Sequence, residues 1–583
     1  MKVRHFLGLA AVALVLTAAA QTPSAWNPGI PWPATDALGR RTPVGAEAGA
    51  LREDRFAGIF YFLWSGQHET GASGPFLISD ILKRFPDALS NASSPPWGPA
   101  GAHYYWGEPL FGFYLADDPW LLRRHAMLLA DAGIDTLIFD TTNRITYRDV
   151  YFRLCEVFRE IRREGGRTPQ IAFMVNTEAG ATAQELYQDL YQPGRYEELW
   201  FRWQGKPLLI ADPEKVSAEV KAFFTLRTAH WPFTQVNTQN AWHWEAAYPQ
   251  VFGFTDDPKR PEQVNVSVAQ NLRMRDGVVV DMSSGEARGR SYHNDAEDTS
   301  PGAVNYGYNF QEQWNRALNL APPFVMVTGW NEWTAGRFSR AGKPVVFVDQ
   351  FDEEHSRDIE MMKGGHLDNY YYQLVSNVRS YKGVAVLPAA SGQKTIPLDD
   401  GYAAWREVRP EYVDHIGETA PRDFDGIGRL HYTTERGAND LELMKVARDR
   451  ENVYFYARTM QDIVRPGDGR MMLLIAQDGS EGPYWEGYRY AVNRVAARKD
   501  TAVLERSSGG WNWEKVADVA MRVRGRELYF AIPRSALGVG TGDFGLDFKW
   551  VDSVQSPGDI MDFYVSGDVA PEGRFRYRYM TKQ

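Results

Sequence analysis

A run of four apolar residues, two of them β-branched, begins at Phe324 and predicts a strand buried on both faces. The sequence Gly-Trp-Asn-Glu-Trp follows at residues 329–333, so that Glu332 stands between two indoles. In barrels of parallel strands, functional side chains lie at the carboxyl ends of the strands. A carboxylate directly after a fully buried strand has little structural reason to be there. We therefore expect Glu332 to be a functional residue of a parallel α/β fold.

Strand-like and helix-like segments alternate from about residue 55 to residue 383, which is typical of parallel α/β architecture. We predict a (β/α)8 TIM barrel over residues 55–387. A doubly wound open sheet is the alternative, and the lack of a Gly-rich phosphate motif after the first strand disfavours it. The candidate strands are Gly58–Trp64, Thr136–Asp140, Gln170–Asn176, Pro207–Asp212, Val251–Phe254, Val278–Met282 and Phe324–Thr328.

Helical patterning nearly disappears after a predicted linker at residues 388–398. Short alternating segments separated by Gly-Asp or Gly-Ser turns follow it, and this pattern predicts an antiparallel β-sandwich at residues 399–583. Examples are Val453–Ala457, Met471–Ile475, Glu527–Ile532 and Phe544–Trp550.

Residues 1–20 have the layout of a secretory signal, because Lys2 and Arg4 precede an apolar run that ends in small residues. We predict cleavage near Ala20, an N-terminal extension at residues 21–54, and a periplasmic or extracellular location in a bacterium. An anchor that stays attached is the alternative. No later stretch reaches the ~20 apolar residues of a membrane span. The formal net charge of −10 excludes a nucleic-acid partner, which needs clustered cations.

Polar residues follow the predicted strands or lie in loops near them, and a closed barrel would bring them to one face. The candidate catalytic residues are Glu332, Asp140, Glu245 and Glu286. The candidate substrate-binding residues are Trp64, His68, Trp106, Glu108, Asn143, Asn176, Trp242, His243, Arg288, Trp330, Asn331 and Trp333.

Carboxylates among indoles suit the cleavage of a glycosidic bond, which needs one carboxyl group as proton donor and a second as nucleophile or base. An apolar wall raises the pKa of the donor towards neutrality. The sequence has neither a G-x-S-x-G motif nor a zinc-binding set, so we expect no cofactor or metal in catalysis. We predict a secreted glycoside hydrolase, with a retaining mechanism as one option, that acts on a polysaccharide or oligosaccharide. The alternative is a non-catalytic glycan-binding protein of an envelope polysaccharide-uptake system.

The segment Trp330–Trp333 resembles a motif at the end of a late strand in the glycoside hydrolase family 71/99-like group. Family 99 members carry a second Glu three residues after the first and cleave α-mannosides with retention. The resemblance implies that Glu332 is the base that deprotonates the sugar 2-hydroxyl. The family's proton donor is missing, because Ala335 occupies its position. The donor would then be Asp140, Glu245 or Glu286, or catalysis is lost, and α-mannan is not inferred as the substrate.

The C-terminal region resembles family 9 carbohydrate-binding modules and DOMON-like sandwiches. The resemblance implies glycan binding and a structural calcium ion, for which Asp478 and Glu486 are candidate ligands. A domain that only braces the barrel is the alternative. The resemblance is carried by Asn439-Asp440, Asn452–Ala457, Trp485–Tyr488 and Asn493-Arg494.

Overall fold

The computed structural model describes residues 26–68, 74–90, 97–98, 102–339, 343–434, 437–463, 471–479, 481–495 and 500–582. The predicted signal segment at residues 1–20 lies outside these ranges. None of the helices in these ranges combines the length and the hydropathy that a membrane-spanning helix needs.

Eight parallel strands form a nearly closed barrel in the first part of the described chain. Neighbouring strands follow the order β6-β5-β4-β3-β2-β1-β8-β7. Between β6 and β7, a side chain takes the place of the backbone hydrogen bonds that join the other neighbouring strands. Gln263 Nε2 donates to the His243 carbonyl at 2.9 Å, and Gln263 Oε1 accepts from the His243 N–H at 2.8 Å. The strands are β1 (Phe56–Tyr61), β2 (Thr136–Thr141), β3 (Gln170–Val175), β4 (Lys206–Ile210), β5 (Thr225–His230), β6 (Ala241–His243), β7 (Gln263–Ser267) and β8 (Phe324–Thr328).

Side chains of these strands alternate between the barrel interior and the surrounding helices, as the period of two residues requires. Phe60 and Ile138 belong to the apolar cluster inside the barrel, whereas their neighbours Ile59 and Leu137 pack with the helices. Burial on both faces explains the continuous apolar runs that predicted β1, β2 and β8.

Helices follow six of the eight strands, and the connections after β5 and β6 contain none. The Asp118 carboxylate caps α2 by accepting the Trp120 N–H at 3.0 Å, and Pro119 opens the first turn. The prediction of a parallel α/β barrel is confirmed at this level. The helices are α1 (Ile78–Arg84), α2 (Pro119–Asp131), α3 (Arg148–Arg163), α4 (Ala179–Leu186), α5 (Ala218–Phe223), α6 (Tyr308–Leu320) and α7 (Asn369–Lys382).

Two predicted strands are not barrel strands. Val278–Met282 is not a strand, and within it Val279 makes only a single bridge, to Leu272. The predicted strand Val251–Phe254 corresponds to the short strand Phe252–Phe254, which runs antiparallel to β7 outside the barrel. Apolar residues alone could not distinguish these two segments from barrel strands, because segments between the barrel strands also pack apolar side chains.

The main sheet of the C-terminal region is antiparallel and ordered β9-β10-β11-β16-β15-β14-β13-β12-β17-β18, with β19 also paired to β17. A separate short hairpin pairs Asp423–Asp425 with His431–Thr433. The sheet curls over its own core, so that the rings of Phe455 and Phe548 meet at 5.7 Å. The predicted antiparallel β architecture is confirmed. The strands are β9 (Glu411–Val413), β10 (Leu441–Arg448), β11 (Asn452–Thr459), β12 (Met471–Gln477), β13 (Tyr490–Val492), β14 (Thr501–Gly509), β15 (Asn512–Arg524), β16 (Glu527–Pro533), β17 (Gly545–Asp552), β18 (Asp568–Ala570) and β19 (Tyr577–Met580).

The barrel and the C-terminal sheet share a buried, charged interface. Arg422 donates to the Asp118 carboxylate at 2.7 Å, and Arg574 donates to Asp368 at 2.5 Å. Trp32, in the segment before β1, places its ring 5.1 Å from that of Tyr577 in the sheet. The N-terminal segment therefore connects the two parts of the molecule.

Candidate active site

A cavity of about 300 Å³ opens at the carboxyl end of the barrel. Its position agrees with the general location of active sites in parallel barrels. The wall combines aromatic rings with carboxylates and amides, a composition suited to a sugar, which presents both apolar faces and hydroxyl groups. The lining residues are Phe60, Phe62, Trp64, Asp140, Thr142, Asn143, Trp231, Pro232, Phe233, Trp244, Asn271, Val279, Glu332, Asp349 and Arg357.

The backbone around Glu332 is held in place from three sides. The Asn331 amide accepts from the Phe62 N–H at 2.9 Å and donates to the Phe62 carbonyl at 3.1 Å. The Glu332 N–H donates to Asp358 at 2.8 Å, and the Trp106 indole donates to the Glu332 carbonyl at 2.9 Å. These bonds fix the backbone from which the carboxylate extends into the cavity wall.

The Glu332 side chain is 95% buried and contacts two donors through the same oxygen, Oε2. Gln350 donates to it at 2.6 Å, and Arg357 donates at 3.2 Å. Gln350 also donates to Asp358 at 2.8 Å, so it links the two acids. Because both donors use Oε2, Oε1 is the oxygen left to carry a proton.

Arg357 is the charge centre of the site. Its Nη2 lies 3.2 Å from Glu332 and 3.6 Å from Asp349, and its Nη1 lies 3.7 Å from Glu245. The guanidinium also lies over the Trp244 ring, 4.6 Å from the centroid, in a cation–π contact. Since Glu332 and Asp349 contact one nitrogen at 3.2 and 3.6 Å, these two carboxylate oxygens are at most about 6.8 Å apart.

Burial raises the pKa of the acids around Arg357. The pKa of Glu332 is well above its ordinary value, because burial and the neighbouring carboxylates outweigh the guanidinium. Burial likewise raises the pKa of Glu245 to about 7 and that of Asp358 to about 6. Burial also raises the pKa of Asp140. Asp349 differs from these acids because 49% of its side chain is exposed.

Four of the predicted site residues line the cavity, namely Trp64, Asp140, Asn143 and Glu332. Glu245 lies behind the wall in contact with Arg357. Two other predicted residues lie near the cavity without lining it. The His68 ring is 5.5 Å from that of Trp64, and Arg288 lies close enough to Glu245 to influence its charge.

Four of the five predicted indoles do not line the cavity, and three of these four lie around the Glu332 backbone. Trp106 and Trp333 stack on each other at 4.4 Å, and Trp333 donates to Glu360. Trp330 is fully buried and lies edge-on to the His125 ring at 5.5 Å. Trp106, Trp330 and Asn331 therefore support the Glu332 backbone rather than stack on a sugar.

The remaining predicted residues lie farther away. Trp242 is fully buried, where it packs on Phe324 and donates to Glu262 beside the start of β7. His243 contacts the Gln263 side chain through its backbone. The other three lie outside the cavity lining: Asn176 and Glu286 are exposed, and Glu108 pairs with Lys363 at 2.9 Å.

A larger cavity of about 800 Å³ lies between the barrel and the C-terminal region, and Glu108 is one of its lining residues. Arg422, Tyr432, Glu486 and Arg574 are among its lining residues. It contains none of the carboxylates around Arg357, so size alone does not identify the chemical site.

Sequence reasoning missed Asp349, Gln350, Arg357 and Asp358, which surround Glu332. Residues 349–358 hold several acids and an arginine, and this charge density was the available signal. It also missed Trp231 and Phe233, which follow β5, a strand that was itself not predicted.

No protein-family model matches this chain, and no curated protein matches it. Among solved structures, a GH99 endo-alpha-mannosidase from Bacteroides thetaiotaomicron is 14% identical over 57% of this chain and 98% of the other, with a TM-score of 0.34. A structure of the same enzyme in complex with BIS-TRIS-Propane is 13% identical, with the same coverage and a TM-score of 0.31. A likeness this distant carries no functional argument, so function has to be argued from the geometry of the site.

Proposed function

We propose that this protein is a secreted glycoside hydrolase with a (β/α)8 barrel, and that Glu332 and Asp349 are its catalytic pair. The supporting observation is that these two carboxylates contact one nitrogen of Arg357 in an aromatic cavity at the carboxyl end of the barrel. Glycosidic cleavage needs two carboxyl groups placed across one bond. The substrate would be a polysaccharide or oligosaccharide, and the location periplasmic or extracellular.

Glu332 is the proton donor in this proposal. Burial raises the pKa of its carboxyl group well above the ordinary value, which favours the protonated form, and its Oε2 is already occupied by Gln350 and Arg357. The proton therefore resides on Oε1, from which it can pass to the leaving oxygen. This role is the reverse of the one that the family resemblance implies for Glu332, and it removes the need for a second acid at position 335.

Asp349 is the nucleophile in this proposal. Its carboxylate attacks the anomeric carbon while the glycosidic C–O bond breaks and the leaving oxygen takes the proton of Glu332. Water then attacks the same carbon, gives its proton to Glu332 and releases Asp349. Carboxyl groups lie ~5–5.5 Å apart in retaining enzymes and ~6.5–9.5 Å apart in inverting enzymes. The limit of about 6.8 Å between Glu332 Oε2 and Asp349 Oδ1 leaves room for the retaining spacing and overlaps only the lower end of the inverting range, and we propose retention.

The other cavity residues would bind the sugar. Trp64, Trp231 and Phe233 offer rings for its apolar faces, and 74% of the Phe233 side chain is exposed. Asp140 and Asn143 offer hydrogen-bonding groups to the sugar hydroxyls. Arg357 balances the charge of the nucleophile before the reaction starts.

The test begins with a polysaccharide panel scored by new reducing ends. On the substrate found, Glu332→Gln and Asp349→Asn should each lower turnover by at least ~10²-fold, the usual size of such contributions. An aryl glycoside of the same sugar with a strongly acidic phenol needs no protonation to leave. On it, Glu332→Gln should form the glycosyl-enzyme at nearly the wild-type rate and release a burst of phenol, whereas its turnover stays slow because Glu332 is also the base for the attacking water. Asp349→Asn should give no burst and should release phenol only with added azide, as the glycosyl azide.

Glu286→Gln is the matched control, because Glu286 is an exposed acid outside the cavity, and its turnover should equal that of the wild type. Near-normal turnover of Glu332→Gln on the polysaccharide would contradict the proposal. Release of phenol from the aryl glycoside by Asp349→Asn without azide would show that Asp349 is not the nucleophile. Binding on affinity gels without any product would favour the non-catalytic glycan-binding alternative.

A further inference from the structure

A second group of acids lies far from the cavity, where the C-terminal sheet meets the barrel. Asp414 and Glu418 belong to the loop after β9, and Asp568 begins β18. One oxygen from each of these three residues lies within 4.8 Å of the others. Glu418 and Asp568 are 98% and 99% buried.

Several oxygens of this cluster have no hydrogen-bond partner within the described ranges. In the described part of the chain, no N–H or hydroxyl group donates to either oxygen of Glu418, to Asp414 Oδ2 or to Asp568 Oδ1, and the carboxyl groups of Glu418 and Asp568 lie close enough to share a proton. A buried carboxylate without partners is costly, because it loses its water and gains nothing in return. Unpartnered buried oxygens that face one another indicate a missing positive charge between them.

The nearby cations do not supply that charge. A fourth acid, Glu572, lies beside the cluster and pairs with Arg124 at 3.4 Å. Lys549 is also close, but its ammonium group donates to the Pro571 carbonyl. Arg124 and Lys549 are therefore both engaged outside the three-residue cluster, the first with Glu572 and the second with a backbone oxygen.

We propose that Asp414, Glu418 and Asp568 bind one divalent cation, and that the cation is Ca²⁺. The set offers only carboxylate oxygens, which are the ligands of hard cations. Ca²⁺ binds oxygens at ~2.3–2.6 Å, so two of its ligands can lie up to about 5 Å apart, whereas Mg²⁺ at ~2.0–2.1 Å requires a tighter set. A spacing of up to 4.8 Å accommodates Ca²⁺, and the comparison of CaCl₂ with MgCl₂ below tests that choice.

The site differs from the one that the family resemblance indicated. At the site that the resemblance indicated, Asp478 pairs with Arg578 and Glu486 pairs with Arg574. Arginine side chains already neutralise those two acids, so they need no metal ion.

A cation at this position would hold the two parts of the molecule together. The loop that carries Asp414 and Glu418 also contacts α2 of the barrel. Arg124 donates to the Glu418 carbonyl at 3.2 Å, and His415 lies 3.1 Å from the Asp131 carboxylate. Binding of Ca²⁺ would fix this loop and thereby stabilise the interface.

The test uses the full chain after treatment with EDTA and dialysis. Addition of CaCl₂ should restore one calcium per chain, measured by elemental analysis. It should also raise the thermal midpoint of unfolding by at least about 5 °C, as expected for a ligand in large excess over its dissociation constant. MgCl₂ at the same concentration should give less than half of this shift.

Glu418→Gln keeps the size of the side chain and should abolish both the stoichiometric calcium and the shift. Asp478→Asn is the matched control and should retain both. A wild-type chain that binds no calcium and shows no shift would overturn the proposal, whether or not Glu418→Gln folds. A calcium-dependent shift that survives in folded Glu418→Gln but is lost in Asp478→Asn would move the site to Asp478.

Discussion

Glu332 and Glu245 beside the barrel cavity are as deeply buried as Glu418 and Asp568 of the interdomain cluster, but the two pairs differ in their counter-charge. Around the cavity, Glu332, Glu245 and Asp349 converge on the Arg357 guanidinium. In the cluster, Glu418 has no cationic side chain within hydrogen-bonding distance and leaves both oxygens unpartnered. The guanidinium opposes the effect of burial on the acids around it, and burial still raises the pKa of Glu332, which suits a proton donor. A set of acids without such a partner is suited to bind a cation from solution.

The largest effect should come from removing the shared cation. Arg357→Met leaves Glu332 and Glu245 buried without their counter-charge, and we expect a loss of about 3–5 kcal/mol in the free energy of unfolding. Urea unfolding at pH 7 would measure it. Arg275→Met is the control, because Arg275 is exposed and pairs with Glu286 only at 3.7 Å. Equal stability of the two variants would show that Arg357 is not the charge centre of the cavity.

The next effect concerns Glu245, whose pKa burial raises to about 7. Below its unfolded pKa the carboxyl group is protonated in both states. As the pH rises to about 7, the unfolded chain releases this proton first, so Glu245 makes the native state progressively less stable. Glu245→Gln should remove about 2–3 kcal/mol of this pH dependence between pH 4.5 and 7.5. Unfolding measured at both values checks it, and an unchanged slope would mean that Arg357 keeps Glu245 charged throughout.

The sequence predicted the strands whose residues are apolar on both faces, and with them the position of Glu332. It did not predict β5, β6 or β7, because these strands carry polar residues that are buried with partners. Arg227 in β5 pairs with Glu262 at 2.6 Å, and Gln263 in β7 bonds to the backbone of β6. Such pairings join distant residues, so local periodicity does not contain them.

The same reason limited the prediction of the site. Glu332 follows its strand directly, whereas Asp349 and Arg357 reach the cavity through a loop whose path depends on tertiary packing. Fully buried indoles, such as Trp330 and Trp242, were predicted to bind sugar because their residue type suits stacking. Their burial could not be read from the chain, since Trp is used both in cores and in binding sites.

The smallest effect should come from a charge pair that is neither buried nor part of the cavity. Lys363 and Glu108 lie 2.9 Å apart with 65% and 33% of their side chains exposed. Lys363→Met should therefore change the free energy of unfolding by about 0.5 kcal/mol or less. This value sets the baseline against which Arg357→Met is compared.

Turnover and KM of Lys363→Met on the identified substrate should also stay within about twofold, since removal of an exposed charge changes no contact in the cavity. A large rise in KM would instead mean that a bound sugar chain extends from the cavity at the barrel end to Glu108.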